Sequence, residues 1–161
     1  MKVIELKDVK KSYGKNEILH GISLDIEEGS IHGLVGRNGC GKTTLIKCLT
    51  GIYEQDQGQI LVCGEEIFEN PKVKAQVGYV ADSNQYFEGY HIDEMVEFYK
   101  QIYPTFDEKV FRDYNQSIGL DVSKRIKELS KGQAMSLASM LNLSIPVSYT
   151  HLRAHETGRN L

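Results

Sequence analysis

The sequence has little of what marks several large classes of protein. None of its apolar runs approaches the roughly 18 residues of a membrane-spanning helix. A net charge of −3 gives no basic surface for a nucleic-acid backbone, so direct binding of DNA or RNA is disfavoured. Its three cysteines (Cys40, Cys48 and Cys63) are odd in number and lack metal-ligand spacing, and no signal peptide precedes them. We therefore expect reduced thiols in a cytoplasmic protein that meets a membrane only through a partner.

Strand and helix patterns alternate along most of the 161 residues, which is the length of one domain. Residues 105–108 fit a capping box, from Thr105 to Glu108, and Gly119 fits a helix end. Apolar periodicity predicts strands at residues 3–9, 18–26, 30–35, 59–63 and 77–81, and helices at residues 42–50 and 93–103, from the Thr105 cap to the Gly119 stop, and at residues 131–143. In the third of these helices, Val110, Phe111, Tyr114 and Ile118 are expected to form a core face.

A glycine-rich segment between a predicted buried strand and a predicted helix fits G-x-x-x-x-G-K-[ST]. Glycines let successive backbone N–H groups converge on phosphates, and the helix start adds partial positive charge. Lys42 is expected to reach the β- and γ-phosphates, and the Thr43 hydroxyl to bind Mg²⁺. An ordinary glycine turn does not explain the flanking elements. The predicted nucleotide-binding residues are Gly36, Arg37, Asn38, Gly39, Cys40, Gly41, Lys42, Thr43 and Thr44.

A second motif, L-S-K-G-Q, lies at residues 129–133. Ser130 is predicted to cap a largely apolar helix, with Gln133 in the capping-box position. The exposed N-terminus of a buried helix favours binding of an anion, because its backbone N–H groups and the helix dipole point toward it. Taken alone, the motif also fits a simple helix cap.

Together, the phosphate loop, the 88 residues from Lys42 to Ser130 and the L-S-K-G-Q motif resemble the ATP-binding subunit of bacterial ABC transporters. The family carries L-S-G-G-Q at this point, where Lys131 replaces a glycine. The resemblance covers residues 1–145. It implies an α/β P-loop NTPase with a RecA-like core, an N-terminal antiparallel β subdomain and an inserted helical subdomain. It also implies ATP and Mg²⁺ as cofactors, and Tyr13 stacked on adenine.

The chain departs from the family at the glutamine loop, which should follow residues 77–80. Asp82 occupies the expected glutamine position and offers an oxygen ligand to Mg²⁺ or water. Gln85 could substitute in a longer loop. The third reading is that neither residue touches nucleotide.

The resemblance further implies a head-to-tail pair of identical or different ATP-binding subunits. Ser130, Gly132 and Gln133 of one subunit would meet the nucleotide held by the other. A separate transmembrane permease would hold the pair at the inner face of the cell membrane, and the sequence is similar to exporter-type subunits. One alternative is a soluble ABC-type ATPase in translation or DNA repair. Another is a P-loop kinase or GTPase, which the signature motif and the lack of N-K-x-D disfavour.

Residues 146–161 lack periodicity and resemble translated sequencing-adapter sequence, so native sequence is expected to end at Ile145. The alternative is a native polar tail in which His151 and His155 bind metal. In the family an apolar strand ending in Asp-Glu follows the signature helix, and no such strand follows here. We therefore expect an incomplete core without an identifiable catalytic residue, weak nucleotide binding and no sustained hydrolysis.

Overall fold

The computed structural model describes residues 1–81 and 87–146, and the backbone of a short strand at Thr150–Arg153. The chain divides into two compact units. One consists of Met1–Val77 with Ser148–Leu161, and the other of Gly78–Val147. In the described part of the chain, no helix is long and apolar enough to cross a membrane.

The first unit is built on an antiparallel sheet of four strands in the order β2-β1-β3-β4. The predicted antiparallel β subdomain is therefore present, with strands that extend beyond the predicted bounds. Gly14, at φ +61°, turns β1 into β2. The strands are β1 (Lys2–Tyr13), β2 (Asn16–Glu27), β3 (Gln57–Val62) and β4 (Glu65–Glu66).

A bulge in β1 shows how closely the sheet is packed. The register of β1 shifts between Leu6 and Val9, and Asp8 takes a positive φ there. Gly58 of β3 lies under this bulge, where a Cβ atom would stand 2.3 Å from the Asp8 carbonyl oxygen. Only glycine fits at this position, because the obstructing atom belongs to the backbone.

Helix α1 (Lys42–Leu49) packs its apolar side into the core of the first unit. It buries Leu45, Cys48 and Leu49 and ends before Gly51, which has φ +66°. The predicted helix and its glycine stop are confirmed. A single turn, α2 (Pro71–Lys74), follows β4, and the Asn70 side chain caps it by accepting the Val73 N–H at 3.2 Å.

The predicted buried strand at residues 30–35 is wrong. Residues 30–37 have no regular structure, and Ile31 and Val35 are 101% and 95% exposed. A continuous apolar run becomes a strand only when neighbouring strands bond it and both faces are covered. Within the described residues the four-stranded sheet pairs its own members and leaves this segment without such neighbours.

The second unit is mainly helical and is entered through β5 (Val77–Val80). Its helices are α3 (Ile92–Ile102), α4 (Glu108–Ile118) and α5 (Lys131–Leu143), with a 3-10 turn at Ile126–Glu128 before α5. The helices predicted at residues 93–103 and 131–143 are confirmed to within one residue, whereas α4 begins two residues after the start expected from a Thr105 cap. Strand β6 (Thr150–Arg153) lies in the part of the chain that belongs to the first unit. The main core of the second unit consists of Ile92, Met95, Val96, Phe111, Leu120, Leu137, Met140 and Leu141.

The capping box predicted from Thr105 is also wrong. Helix α4 is capped by Asp107, whose Oδ1 accepts the N–H groups of Lys109 at 2.9 Å and Val110 at 3.3 Å. Asp107 lies directly before the first helical residue, and an ionised carboxylate is a stronger acceptor than a hydroxyl. Thr105 lies two residues too early.

The core face expected on α4 is only partly formed. Phe111 is deeply buried, whereas Tyr114 and Ile118 are 43% and 45% exposed. Gly119 ends the helix at φ +75°, as predicted, and the Asn115 side chain then bonds both backbone groups of Leu120. Leu120 is thereby buried beyond the helix end and contributes to the core.

Candidate functional site

The glycine-rich segment forms a loop that leads directly into α1. Gly39 and Gly41 have φ of +80° and +94°, a region that favours glycine. A Cβ atom at Gly41 would lie 3.0 Å from Ile18 Cγ2 and 3.1 Å from the Ile18 carbonyl oxygen of β2. The loop is therefore pressed against the sheet at Gly41.

The Lys42 side chain holds the loop together. Its Nζ donates to the carbonyl oxygens of Gly36 at 2.7 Å and Arg37 at 2.9 Å. The Cys40 thiol lies 3.9 Å from the same nitrogen. The loop thus curls around a positively charged ammonium group, as a phosphate-binding loop requires.

The start of α1 favours an anion. No side chain caps the helix, and its first turn contains no acidic residue. The first intrahelical bond of this turn is donated by the Leu45 N–H to the Gly41 carbonyl oxygen at 2.8 Å. Backbone N–H groups at an uncapped helix start, together with the helix dipole, stabilise negative charge.

A pocket of about 260 Å³ joins this loop to the end of β1. In the structure, Tyr13 lies at the same pocket as the phosphate loop, and the residue is 46% exposed. The Tyr13 ring meets Tyr53 edge-on, with 6.3 Å between centroids. Ile18 also lines the pocket, and no signal in the sequence singled it out. The lining residues are Tyr13, Ile18, Asn38, Gly39, Gly41, Lys42, Thr43 and Thr44.

Asp56 fixes the segment that carries Tyr13, and no pattern in the sequence indicated this role. Its carboxylate accepts a hydrogen bond from Lys11 Nζ at 2.6 Å and another from the Ser12 N–H at 2.6 Å. The hydrogen bond from Lys11, followed by that from Ser12, lowers the pKa of Asp56. Since Ser12 precedes Tyr13, this carboxylate anchors one wall of the pocket.

The described residues offer few ligands for a metal. Thr43 contributes a hydroxyl to the pocket lining, whereas no carboxylate lines it within the described ranges 1–81 and 87–146. Those ranges also contain no group of His, Cys, Asp and Glu side chains that could hold a metal ion. One protein hydroxyl fits Mg²⁺, which commonly keeps several waters and takes substrate phosphates as ligands. Asp82 and Gln85 lie outside the described residues.

The L-S-K-G-Q motif opens α5 in the second unit, with the predicted cap confirmed. Ser130 Oγ accepts the Gln133 N–H at 3.2 Å, and Gln133 Oε1 accepts the Ser130 N–H at 2.9 Å. All three of Ser130, Gly132 and Gln133 are exposed. A Cβ atom at Gly132 would meet nothing within 4 Å, so the surface at this helix start is open.

Residues 19–146 match the sequence profile of the family described as ABC transporter. The chain is 35% identical to the ABC transporter ATP-binding protein YtrB of Bacillus subtilis over 142 residues, which are 88% of this chain and 49% of that protein. It is 34% identical to the methionine import ATP-binding protein MetN of Clostridium tetani over 147 residues, 84% of this chain and 46% of that protein. The chain thus spans about half the length of these relatives.

Solved structures show the same fold. One structure, of the ATP binding subunit of an ABC transporter, superposes with a TM-score of 0.77 at 21% sequence identity and covers 89% of this chain and 62% of that one. A second, of an ATP-binding cassette of an ABC transporter, gives a TM-score of 0.77 at 19% identity and covers 93% and 68%. The expected P-loop NTPase fold is therefore confirmed.

Proposed function

We propose that this chain, which belongs to the ABC transporter family, binds ATP with Mg²⁺ in the pocket between the phosphate loop and Tyr13, as the ATP-binding subunit of a transporter. One observation carries the proposal. The Lys42 ammonium group, the uncapped start of α1 and an exposed tyrosine ring all lie at a single pocket.

Each part of the pocket suits one part of the nucleotide. The loop N–H groups and Lys42 bind the phosphates, and the Thr43 hydroxyl would hold Mg²⁺. That ion, when bound, would supply positive charge beside the phosphates. A volume of about 260 Å³ is small for a whole nucleotide, so the adenine rests on the exposed Tyr13 ring instead of being enclosed.

The signature residues would complete the site of a second subunit in a head-to-tail pair. Ser130 Oγ already accepts the Gln133 N–H, which leaves its own O–H to donate to a γ-phosphate oxygen. Gly132 adds an open surface on which a phosphate can approach the backbone. ATP would then hold two subunits together, and hydrolysis would release them.

A membrane permease is the partner that this function requires, with the chain bound peripherally at the inner face of the membrane. The names of YtrB and MetN support this proposal, because both are ATP-binding proteins of transporters. For the same reason the alternative, a soluble ABC-type ATPase of translation or DNA repair, is not favoured.

Nucleotide binding tests the proposal directly. The purified 161-residue chain is titrated with Mg·ATP by calorimetry, beside Lys42→Ala and the matched control Lys72→Ala. Lys72 is exposed and pairs with Glu65, away from the pocket lining. Because Lys42→Ala removes a charge-assisted contact to phosphate, we expect affinity to fall at least about tenfold, whereas Lys72→Ala leaves it unchanged. Equal affinities in all three proteins would overturn the assignment of the pocket.

Hydrolysis is a separate question. A water molecule attacking the γ-phosphate needs a group to position it, and the described lining of the pocket has no carboxylate for this role. We therefore expect the 161-residue chain to bind ATP without sustained turnover. Phosphate release that depends on Mg²⁺ and is lost in Lys42→Ala would contradict this expectation.

A further inference from the structure

The segment between the end of β2 and the phosphate loop is held at both ends and unbonded in the middle. At its start, the Ser30 N–H donates to the Glu27 carbonyl oxygen at 3.2 Å. At its end, Lys42 Nζ donates to the Gly36 carbonyl oxygen at 2.7 Å. Within the described part of the chain, residues 31–35 form no backbone hydrogen bond. Their N–H and carbonyl groups can therefore pair with those of another strand.

The side chains of this segment are largely apolar, and they face solvent. Ile31 and Val35 are 101% and 95% exposed, and Leu34 is 46% exposed. Branched side chains such as those of isoleucine and valine favour strands because they pack well on a pleated surface. An exposed apolar segment whose backbone is unpaired is a template for pairing with another chain. The segment therefore has the side chains and the open backbone of a strand, and lacks a neighbouring strand.

The charges at the two ends of the segment have opposite signs. Glu28 precedes it and Arg37 follows it, and both residues are exposed. Among the described residues, neither of the two forms an ion pair. If two copies of the segment paired in parallel, like charges would meet at each end. Antiparallel pairing instead places Glu28 of one copy beside Arg37 of the other, which is the favourable arrangement.

We propose that residues 30–36 form an intermolecular strand, which pairs antiparallel with the same residues of a second copy of this chain. In this pairing Glu28 lies opposite Arg37, and Ile31 lies opposite Leu34. Each of these pairs occurs twice, because the contact is symmetric. The inference goes beyond the proposed function and does not depend on it, since no nucleotide takes part and the surface differs from that of the head-to-tail pair.

Backbone chemistry and charge both favour a second copy as the occupant. A helix packed on this segment could cover its apolar side chains but would leave the N–H and carbonyl groups of residues 31–35 unbonded, whereas a strand satisfies both. The segment also complements itself: its acidic end meets a basic end, and its apolar residues meet apolar residues. A surface that matches its own copy is what a two-fold symmetric contact requires.

Sedimentation equilibrium of the full 161-residue chain, without nucleotide, tests the proposal. We expect the mass to rise with concentration from 18.2 kDa towards twice that value. Ile31→Lys with Val35→Lys should weaken association at least about tenfold, because the added charges would be desolvated in the contact. Both side chains are exposed, so circular dichroism should stay unchanged. The control, Ile52→Lys with Ile102→Lys, changes isoleucines that are 52% and 51% exposed outside the segment and should associate normally.

Two charge reversals test the antiparallel orientation. Arg37→Glu gives the segment two acidic ends, and Glu28→Arg gives it two basic ends. Each variant alone should associate about fivefold to tenfold more weakly, because both end contacts become repulsive. An equimolar mixture of the two variants should recover the parent's association, since acidic ends then meet basic ends. Parallel pairing predicts no loss in either variant, because like charges would face each other before and after the change.

Several results would overturn the proposal. The chain could remain a monomer at every concentration, the double lysine variant could associate as the parent does, or the mixture of charge variants could fail to recover association. Association that appears only with Mg·ATP would also overturn it, because the head-to-tail pair would then account for the contact. A failure of the chain to bind ATP leaves the expected association unchanged, so the two proposals fail separately.

Discussion

Replacing Gly41 with alanine should damage the phosphate loop far more than the same change at Gly39. Both residues have a positive φ, so each substitution places an L-residue in the left-handed region at a cost of about 1–2 kcal/mol. At Gly39 nothing lies within 4 Å of the added Cβ atom, and this cost is the whole effect.

Gly41→Ala carries a second cost. The added atom would stand 3.0 Å from Ile18 Cγ2 and 3.1 Å from the Ile18 carbonyl oxygen, with Leu19 Cδ2 also at 3.1 Å. A backbone oxygen in a strand cannot move aside easily, so overpacking adds about 1–3 kcal/mol. We expect the free energy of unfolding to fall by about 2–5 kcal/mol in Gly41→Ala and by about 1–2 kcal/mol in Gly39→Ala.

Urea denaturation of the two variants measures the difference. An Ile18→Ala background adds a check: it removes Cγ2, so Gly41→Ala should cost less there than in the parent chain. If Gly39→Ala lowers the free energy of unfolding as much as Gly41→Ala or more, the packing of Gly41 against Ile18 is not what limits this position. An unchanged cost of Gly41→Ala in the Ile18→Ala background would show that the side-chain contact is irrelevant.

Three further predictions concern the pocket wall, a helix cap and a pH-dependent anchor. Tyr13→Ala should lower the affinity for ATP by about fivefold to a hundredfold, because a stacked base contributes about 1–3 kcal/mol. In the same titration, the affinity for inorganic triphosphate should stay unchanged. Asp107→Ala should lower the free energy of unfolding by about 0.5–2 kcal/mol in urea, whereas Thr105→Ala stays within about 0.5 kcal/mol. Asp56→Asn should lower the melting temperature at neutral pH, and this difference should shrink as the pH falls. The sign follows from the lowered pKa of Asp56: its charged form stabilises the fold above its ordinary value near 4, and this contribution is lost as the pH falls through the folded-state pKa.

Each of these has a contrary result. Equal losses of ATP and triphosphate affinity in Tyr13→Ala would show that the ring shapes the loop and does not stack on the base. A larger effect at Thr105 than at Asp107 would restore the capping box predicted from the sequence. A melting difference for Asp56→Asn that grows in acid would contradict the sign of its pKa shift.

The elements predicted well from the sequence are those whose signals are local. Ser130 and Gln133 lie three residues apart and satisfy each other at the start of α5, so the cap could be recognised without knowledge of the fold. Gly119 likewise ends α4 through its own backbone conformation. The predicted start of α4 was wrong by two residues, because two possible capping residues, Thr105 and Asp107, lie within one turn.

The elements predicted poorly depend on distant partners. Residues 30–35 have a strand pattern, yet a strand exists only where neighbours bond it, and a pattern along the chain does not show those neighbours. Asp56 bonds Lys11 and Ser12, which are 45 and 44 residues away in sequence. No residue near Asp56 in the sequence therefore indicates that it anchors this segment. Tyr13 was predicted through family resemblance, and in the structure it lines the same pocket as the loop.

The affinities of ATP, ADP and AMP for the 161-residue chain, measured by calorimetry with Mg²⁺, test whether the loop around Lys42 is a phosphate cradle. A cradle that binds the β- and γ-phosphates predicts that ATP and ADP bind and that AMP binds at least about tenfold more weakly. AMP binding as tightly as ATP, or no binding of any of the three nucleotides, would contradict it.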